Sequence, residues 1–174
     1  MAAGSTYEPI ATANGTGSSD TITFNSIPGT YTDLILICNF ISTGDQGSVA
    51  IRFNNDTTTN YSNTRMVGFA NPPTSGKSNN GTSIPTMFAA GGSTSNPSIT
   101  TVNVFNYANT TTYKNIISRT IGTRFEAGAP TFEPILMMGV WRKSPEAITR
   151  IDVINTSGNF TTDSTFTIYG IKAA

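Results

Sequence analysis

A chain of 174 residues with ten basic and ten acidic side chains, no histidine and a single cysteine excludes several functions at the outset. Zero net charge with scattered signs leaves no electrostatic footprint for a nucleic-acid backbone or an anionic membrane. Without histidine there is no Ser-His-Asp or Cys-His catalysis and no commonest zinc ligand, and lone Cys38 builds neither an internal disulfide nor a thiolate metal site.

Charged residues make up 11% of the chain, less than half the usual ~25%. Thr, Ser and Asn fill the gap with about a third of all positions, a composition that suits pleated strands joined by polar turns. No apolar stretch approaches the ~18 residues of a membrane span. Met1–Thr6 has neither the basic region nor the apolar run of a secretory signal, so cytoplasmic synthesis without Sec-type export is the expectation.

Helical periodicity is missing, and short β-rich runs recur between turn residues. The first is Tyr7–Thr12, with residues 1–12 read as an extended N-terminal arm. Asp20–Ile27 follows, closed by the turn pair Pro28-Gly29. Thr32–Ile41 is apolar on both faces: Leu34, Leu36, Cys38 and Phe40 point one way, Ile35, Ile37 and Ile41 the other. Such a strand is central, or its second face meets a partner chain. After a turn at Gly44–Gly47, Ser48–Asn54 alternates, with Val49, Ile51 and Phe53 facing inward. A loop over Asn55–Thr64 leads to a strand at Arg65–Ala70 and then to the longest expected loop, Asn71–Ser83. Ile84–Ala90 is a short run and Gly91–Pro97 another loop.

The second half is similar in style. Ser98–Tyr107 and Tyr113–Phe125 form an expected hairpin around Ala108-Asn109-Thr110, and Glu126–Thr131 is a Gly/Pro turn. Pro134–Trp141 is again apolar on both faces, and Ala147–Asn155 and Ser164–Ile171 complete the chain. About ten strands with turns every 8–14 residues predict one all-β domain over residues 1–174. The expected fold is an antiparallel two-sheet β-sandwich, a jelly roll with long polar loops. Asp56–Tyr61 echoes Asn109–Tyr113, which reads as shared loop chemistry because the flanking strands do not match.

Chemistry-bearing constellations are sparse. Glu126 and Glu133 are the nearest candidates for a glycosidase pair, but two solvated turn acids are the simpler reading. Asp56 with Asn54 and Asn55, or Asp152 with Asn155, offers oxygen ligands for calcium, although acids in Asn-rich turns ordinarily make Asx turns. Gly15-Thr16-Gly17 and Ala90-Gly91-Gly92 lack the helix and Lys-Ser/Thr pair of a phosphate cradle. Sequons at Asn14, Asn80, Asn109 and Asn159 arise by chance in a Thr-rich chain. Trp141 shares a face with Ile135 and Met137 and is expected inside, whereas Tyr61 and Tyr107 border loops and are candidates for stacking on sugar rings. No catalytic, cofactor-binding or metal residue is assigned.

Several segments, taken in order, resemble a family of bacteriophage virion proteins. They are Tyr7–Thr12, Ile22–Leu34, Arg52–Thr57 with Asn60-Tyr61-Ser62, Tyr107–Thr110 with Lys114, Gly139–Arg142, Ala147–Ile151, and Gly158–Phe160 leading to Ser164–Ile171. Asn71–Pro97 carries none of the likeness. The resemblance implies a β-sandwich located in the virion, with no catalytic residues. The leading expectation is a homotrimeric head decoration or cement protein whose partners are the major capsid protein or other virion proteins, without nucleic acid or membrane. The alternative is a tail-fibre or baseplate component that binds a host surface glycan through Asn71–Ser83 and Gly91–Pro97. A glycan depolymerase using Glu126 and Glu133 is the third reading.

Overall fold

The computed structural model describes residues 6–44, 47–68, 72–90, 97–126, 129–143 and 145–172, with 47, 87–90, 123–126 and 129–131 described by backbone alone. Among the described residues, twelve strands and no helix form two antiparallel sheets. The strands are β1 (Tyr7–Asn14), β2 (Thr21–Phe24), β3 (Asp33–Phe40), β4 (Gly47–Phe53), β5 (Tyr61–Val67) and β6 (Thr74–Gly81). The second half supplies β7 (Ile84–Ala90), β8 (Ser98–Phe105), β9 (Lys114–Glu126), β10 (Ala129–Trp141), β11 (Ile151–Asn155) and β12 (Thr165–Ile171). One sheet has eight strands in the order β1-β12-β3-β8-β9-β10-β5-β6, the other four in the order β2-β11-β4-β7.

Eight of these strands pair from the ends of the chain inward: β1 with β12, β2 with β11, β3 with β8 and β4 with β7. That wrapping, with strands distributed as β1-β12-β3-β8 over β2-β11-β4-β7, is the expected jelly roll. Two hairpins interrupt it. The pair β5–β6 is inserted between β4 and β7, and β9–β10 between β8 and β11. All four join the larger sheet beyond β8 and extend it into a four-stranded wing.

The core lies between the sheets, where strand alternation aims every second side chain. Leu34, Leu36, Cys38 and Phe40 of β3 face Ile51, Phe53, Ile151 and Val153 of the smaller sheet, all buried. Aromatic clusters close the two ends. Phe160 meets Phe166 edge-on at 4.8 Å between ring centroids, with Phe40 alongside. At the other end Phe53 lies 5.6 Å from Trp141, which stacks on Tyr61. Beneath the wing the interior becomes hydroxyl-rich. The hydroxyls of Thr100 and Thr120 are 2.8 Å apart, and Thr120 donates to the carbonyl of Thr86.

Several boundaries differ from expectation for physical reasons. The stretch read as the long loop 71–83 holds β6, paired to β5 from Val67↔Thr74 to Tyr61↔Gly81. Its sequence, TSGKSNNG, has no apolar period because it is an edge strand wetted on both faces. Of the expected N-terminal arm 1–12, Tyr7 onward is not an arm but the sheet's other edge, with a bulge after Pro9; residues 1–5 lie outside the described residues. Strand β5 starts earlier than expected, at Tyr61, whose partner across the ladder is Trp141. Strand β11 starts later than expected. Ahead of it, Asn54 Oδ1 accepts from the backbone N–H of Thr149 and Arg150, and its amide donates to the carbonyl of Ala147. Glu126–Thr131 is largely strand, since β9 and β10 stay in register as far as Glu126↔Ala129.

Gly170 shows how closely the strands are covered. It sits in β12 beneath the ring of Tyr31, and a Cβ there would lie 2.2 Å from Tyr31 Cγ. Tyr31 is held by its hydroxyl, which donates to Glu8 at 3.2 Å. Gly170→Ala must therefore displace the ring, at about 1–3 kcal/mol of overpacking. A urea titration should show the midpoint falling with an unchanged slope; an unaltered midpoint would mean that Tyr31 swings aside freely.

Candidate functional site

Of the side chains that sequence reasoning singles out, Asn54, Asp56, Tyr61, Tyr107, Asp152 and Asn155 are engaged in holding the fold. Asn54 and Asn55 both adopt left-handed φ, 47° and 55°, a conformation Asn tolerates. They form the tip of a turn closed by Asp56 N–H donating to Phe53 carbonyl at 2.9 Å. This delivers the Asp56 carboxylate beneath the sheet end, where it is 5% exposed. It accepts hydrogen bonds from Trp141 Nε1 (2.7 Å), Asn60 Nδ2 (3.0 Å), Thr58 N–H (3.0 Å) and Thr58 Oγ1 (2.5 Å). Burial pushes this carboxyl up, but the donors of Thr58, Asn60 and Trp141 together outweigh it and hold Asp56 at about 2.

The same logic governs the other calcium candidate. Asp152 takes a two-pronged contact from Arg150 and a 2.7 Å hydrogen bond from Thr23, while Asn155 bonds Ser42 and Ser157 N–H. Each of these carboxylates faces N–H or O–H donors, the reverse of what a cation would require. Among the described residues no three Asp, Glu or Cys converge as a metal cluster.

Glu133 is on the inner face of β10, 5% exposed, so it is not the solvated turn acid that the sequence suggests. The side chain of Glu126 lies outside the described residues, and with it the glycosidase pair. Tyr61 and Tyr107 are both fully buried, which corrects their reading as sugar-stacking residues. Tyr61 binds backbone groups of Phe53 and Asp56, and the Tyr107 hydroxyl donates to Pro28. Trp141 is inside as expected, at 2% exposure. Cys38 is buried among apolar neighbours, which push its thiol up and keep it un-ionised. The echoed loops do share chemistry: Asn109 Oδ1 accepts from Thr111 and Thr112 N–H much as Asp56 does from Thr58. Of the loops assigned to glycan binding, 71–83 is mostly β6, and 91–96 lie outside the described residues.

What faces solvent is the outer side of the eight-stranded sheet. The two runs apolar on both faces each bury one row and expose the other. In β3 Ile37 is 40% exposed; in β10 Leu136 and Met138 are 36% and 41% exposed. Ladder register places their neighbours. Met138 lies beside Ile117, Leu136 beside Met66 and Arg119, and Pro134 beside Ile121, which in turn pairs with Ile99. Exposed apolar side chains therefore lie in neighbouring rows of β8, β9, β10 and β5 on this face. At the wing the face dips into a groove of about 630 Å³ lined chiefly by Met66, Val67, Pro73, Pro134 and Leu136, with Arg119 at its side. Ile121 and Met66 escape sequence reasoning, although Ile117 and Ile121 in register with Pro134–Trp141 carry the signal.

The Asp56 carboxylate gives a measurable pH dependence. Its folded value lies below the ordinary 3.8, so its stabilisation is complete above that value and is lost as pH falls towards 2. The loss amounts to about 2 kcal/mol. Urea unfolding at pH 7 and pH 2.5 should show this drop in the native chain. In Asp56→Asn the pH 7 stability should already be lower and the drop smaller. An equal drop in both would assign the acid lability to other carboxylates.

No family model matches the chain, and no curated protein matches it. Among solved structures it is similar to a tetrameric galectin from the ball sponge Cinachyrella sp., with 9% identity and a TM-score of 0.35 over 87% of this chain and 99% of that one. It also aligns with a protein of unknown function from Shewanella oneidensis MR-1, at 8% identity and a TM-score of 0.25 over 100% of this chain and 82% of that one.

Proposed function

We propose that this chain is a non-enzymatic structural component of a bacteriophage virion, a trimeric head decoration protein that cements neighbouring capsid subunits. The observation that carries the reading is the apolar outer face of the eight-stranded sheet, with Ile37, Ile99, Ile121, Leu136 and Met138 open to solvent. Exposed apolar side chains gathered on one sheet face mark an interaction surface. Two further points support it. The candidate acids Asp56 and Asp152 are engaged as hydrogen-bond acceptors inside the fold, which favours adhesion over reactivity. The ordered resemblance of Tyr7–Thr12, Ile22–Leu34 and the C-terminal segments to virion proteins supports the choice of particle.

A tail-fibre or baseplate role, with a host glycan as ligand, is favoured by a different observation. At the sheet end Tyr113 is 52% exposed beside the hydroxyl-rich loop Thr110–Thr112, and an open aromatic ring among hydroxyls is suited to a sugar.

Immunogold labelling of purified phage particles with antibody to this chain separates the readings. Label distributed over heads is the expected result. Label confined to tails would transfer the function to the second reading, and particles free of label would overturn both.

A further inference from the structure

The wing formed by the two inserted hairpins concentrates the exposed apolar surface. Met66 (56%), Ile121 (61%), Phe132 (73%), Leu136 and Met138 all belong to β5, β9 or β10. Within it a protruding ring and an open groove stand side by side. Phe132 is the most exposed large hydrophobic residue among those described. Two residues further along β10, Pro134 begins the groove whose walls are Met66, Pro73 and Leu136. Its volume of about 630 Å³ falls in the range of about 300–1,000 Å³ typical of sites that enclose a bound group.

We infer that the wing is the surface through which copies of this chain bind one another, with Phe132 of each copy seated in the Met66–Pro134–Leu136 groove of a neighbour. Four observations select a second copy as the occupant. Knob and groove are present on the same chain and do not satisfy each other, since Phe132 remains exposed beside its own groove. Five large apolar side chains of the wing, Met66, Ile121, Phe132, Leu136 and Met138, are each at least 36% exposed, the kind of side chain that the buried core of an interface takes up. Ten positive and ten negative charges sum to zero, so copies approach without net repulsion. Edge-to-edge joining is discouraged: β1 carries Pro9 and a bulge, β7 carries Pro85, β2 has four residues, and β6 carries Lys77 with a register shift. Association therefore proceeds through the face. Arg119 at the groove wall is compatible with burial, because its aliphatic stem can line the apolar surface while the guanidinium reaches water.

The inference deepens the proposed function by naming the contact that would make the trimer, and it rests on that reading only for the number three. A head-to-tail contact, knob of one copy into groove of the next, closes into a ring when the rotation allows.

Light scattering and sedimentation equilibrium on the full chain test it. The native protein should give a discrete mass of three chains at micromolar concentration, and Phe132→Ser and Leu136→Lys should each shift it to one chain with an unchanged β-rich circular-dichroism spectrum. Ile35→Thr, on the same face but in β3 away from the wing, is the control and should stay associated. A native monomer at about 100 μM would overturn the inference, as would wing variants that keep the native mass. If either variant fails to fold, crosslinking of a Phe132→Cys/Met66→Cys pair between copies decides the matter: an inter-chain disulfide is expected, and its absence under oxidation would count against the contact. The virion reading fails independently, when particles carry no label although the wing still joins copies.

Discussion

A pleated strand has a period of two, and here a sheet of eight strands lies opposite a sheet of four. Those two facts govern most of what the molecule presents. One face of every strand in the larger sheet is turned towards the interior, and only the jelly-roll half has a complete sheet to meet it. The wing relies on β7 for cover, as Gly139 shows: a Cβ there would come within 2.8 Å of Ile84 Cδ1. The opposite face has no layer over it among the described residues, so an isoleucine or methionine in that row stays in water unless another molecule arrives. Ile35 and Ile37 are outward for the same reason that Leu34 and Leu36 are inward, and neither set can change without a slip of register that would move both.

Much of this architecture is readable from residues alone. The alternation of Val49, Ile51 and Phe53 and the doubled pattern of Thr32–Ile41 and Pro134–Trp141 are signatures of half-buried and two-sided strands. Strand count and turn spacing suffice for a jelly roll. Strand β6 is not readable, because a polar edge strand gains its order from backbone pairing with β5 and leaves no trace in hydropathy. The fate of Tyr61 and Tyr107 is not readable either. A tyrosine next to a loop is exposed or anchored depending on whether buried backbone groups await its hydroxyl, and that is a property of other segments: Pro28 for Tyr107, Phe53 for Tyr61. The outer-face patch is half legible. Two-sided strands announce it, but its continuity across β5, β8, β9 and β10 depends on the order in which the inserted hairpins join the sheet.

The treatment of acids follows a single rule. A carboxylate taken from water must be met by donors. Asp56 collects an indole, an amide, a hydroxyl and a backbone N–H, while Asp152 collects a guanidinium and a hydroxyl. Asp56 thereby connects the β4–β5 turn to the end of β10, and Asp152 connects β11 to β2. Both ties join elements distant in sequence, which is where a small number of polar contacts contributes most to selecting one arrangement of strands. Saturated in this way, both groups are committed to the fold.

The pairing of the first strand with the twelfth has a consequence for biosynthesis. Strand β12 lies between β1 and β3, yet it is the last of the twelve to be translated. Until it emerges, β1 has no neighbour in its ladder and β3 is bonded along one side only. Closure of the sheet must therefore wait for the β12 segment to clear the ribosome, and contacts of such long separation form slowly. During that interval the half-made sheet exposes unpaired backbone. The proline in β1 and the brevity of β2 then act as guards against premature pairing between nascent chains.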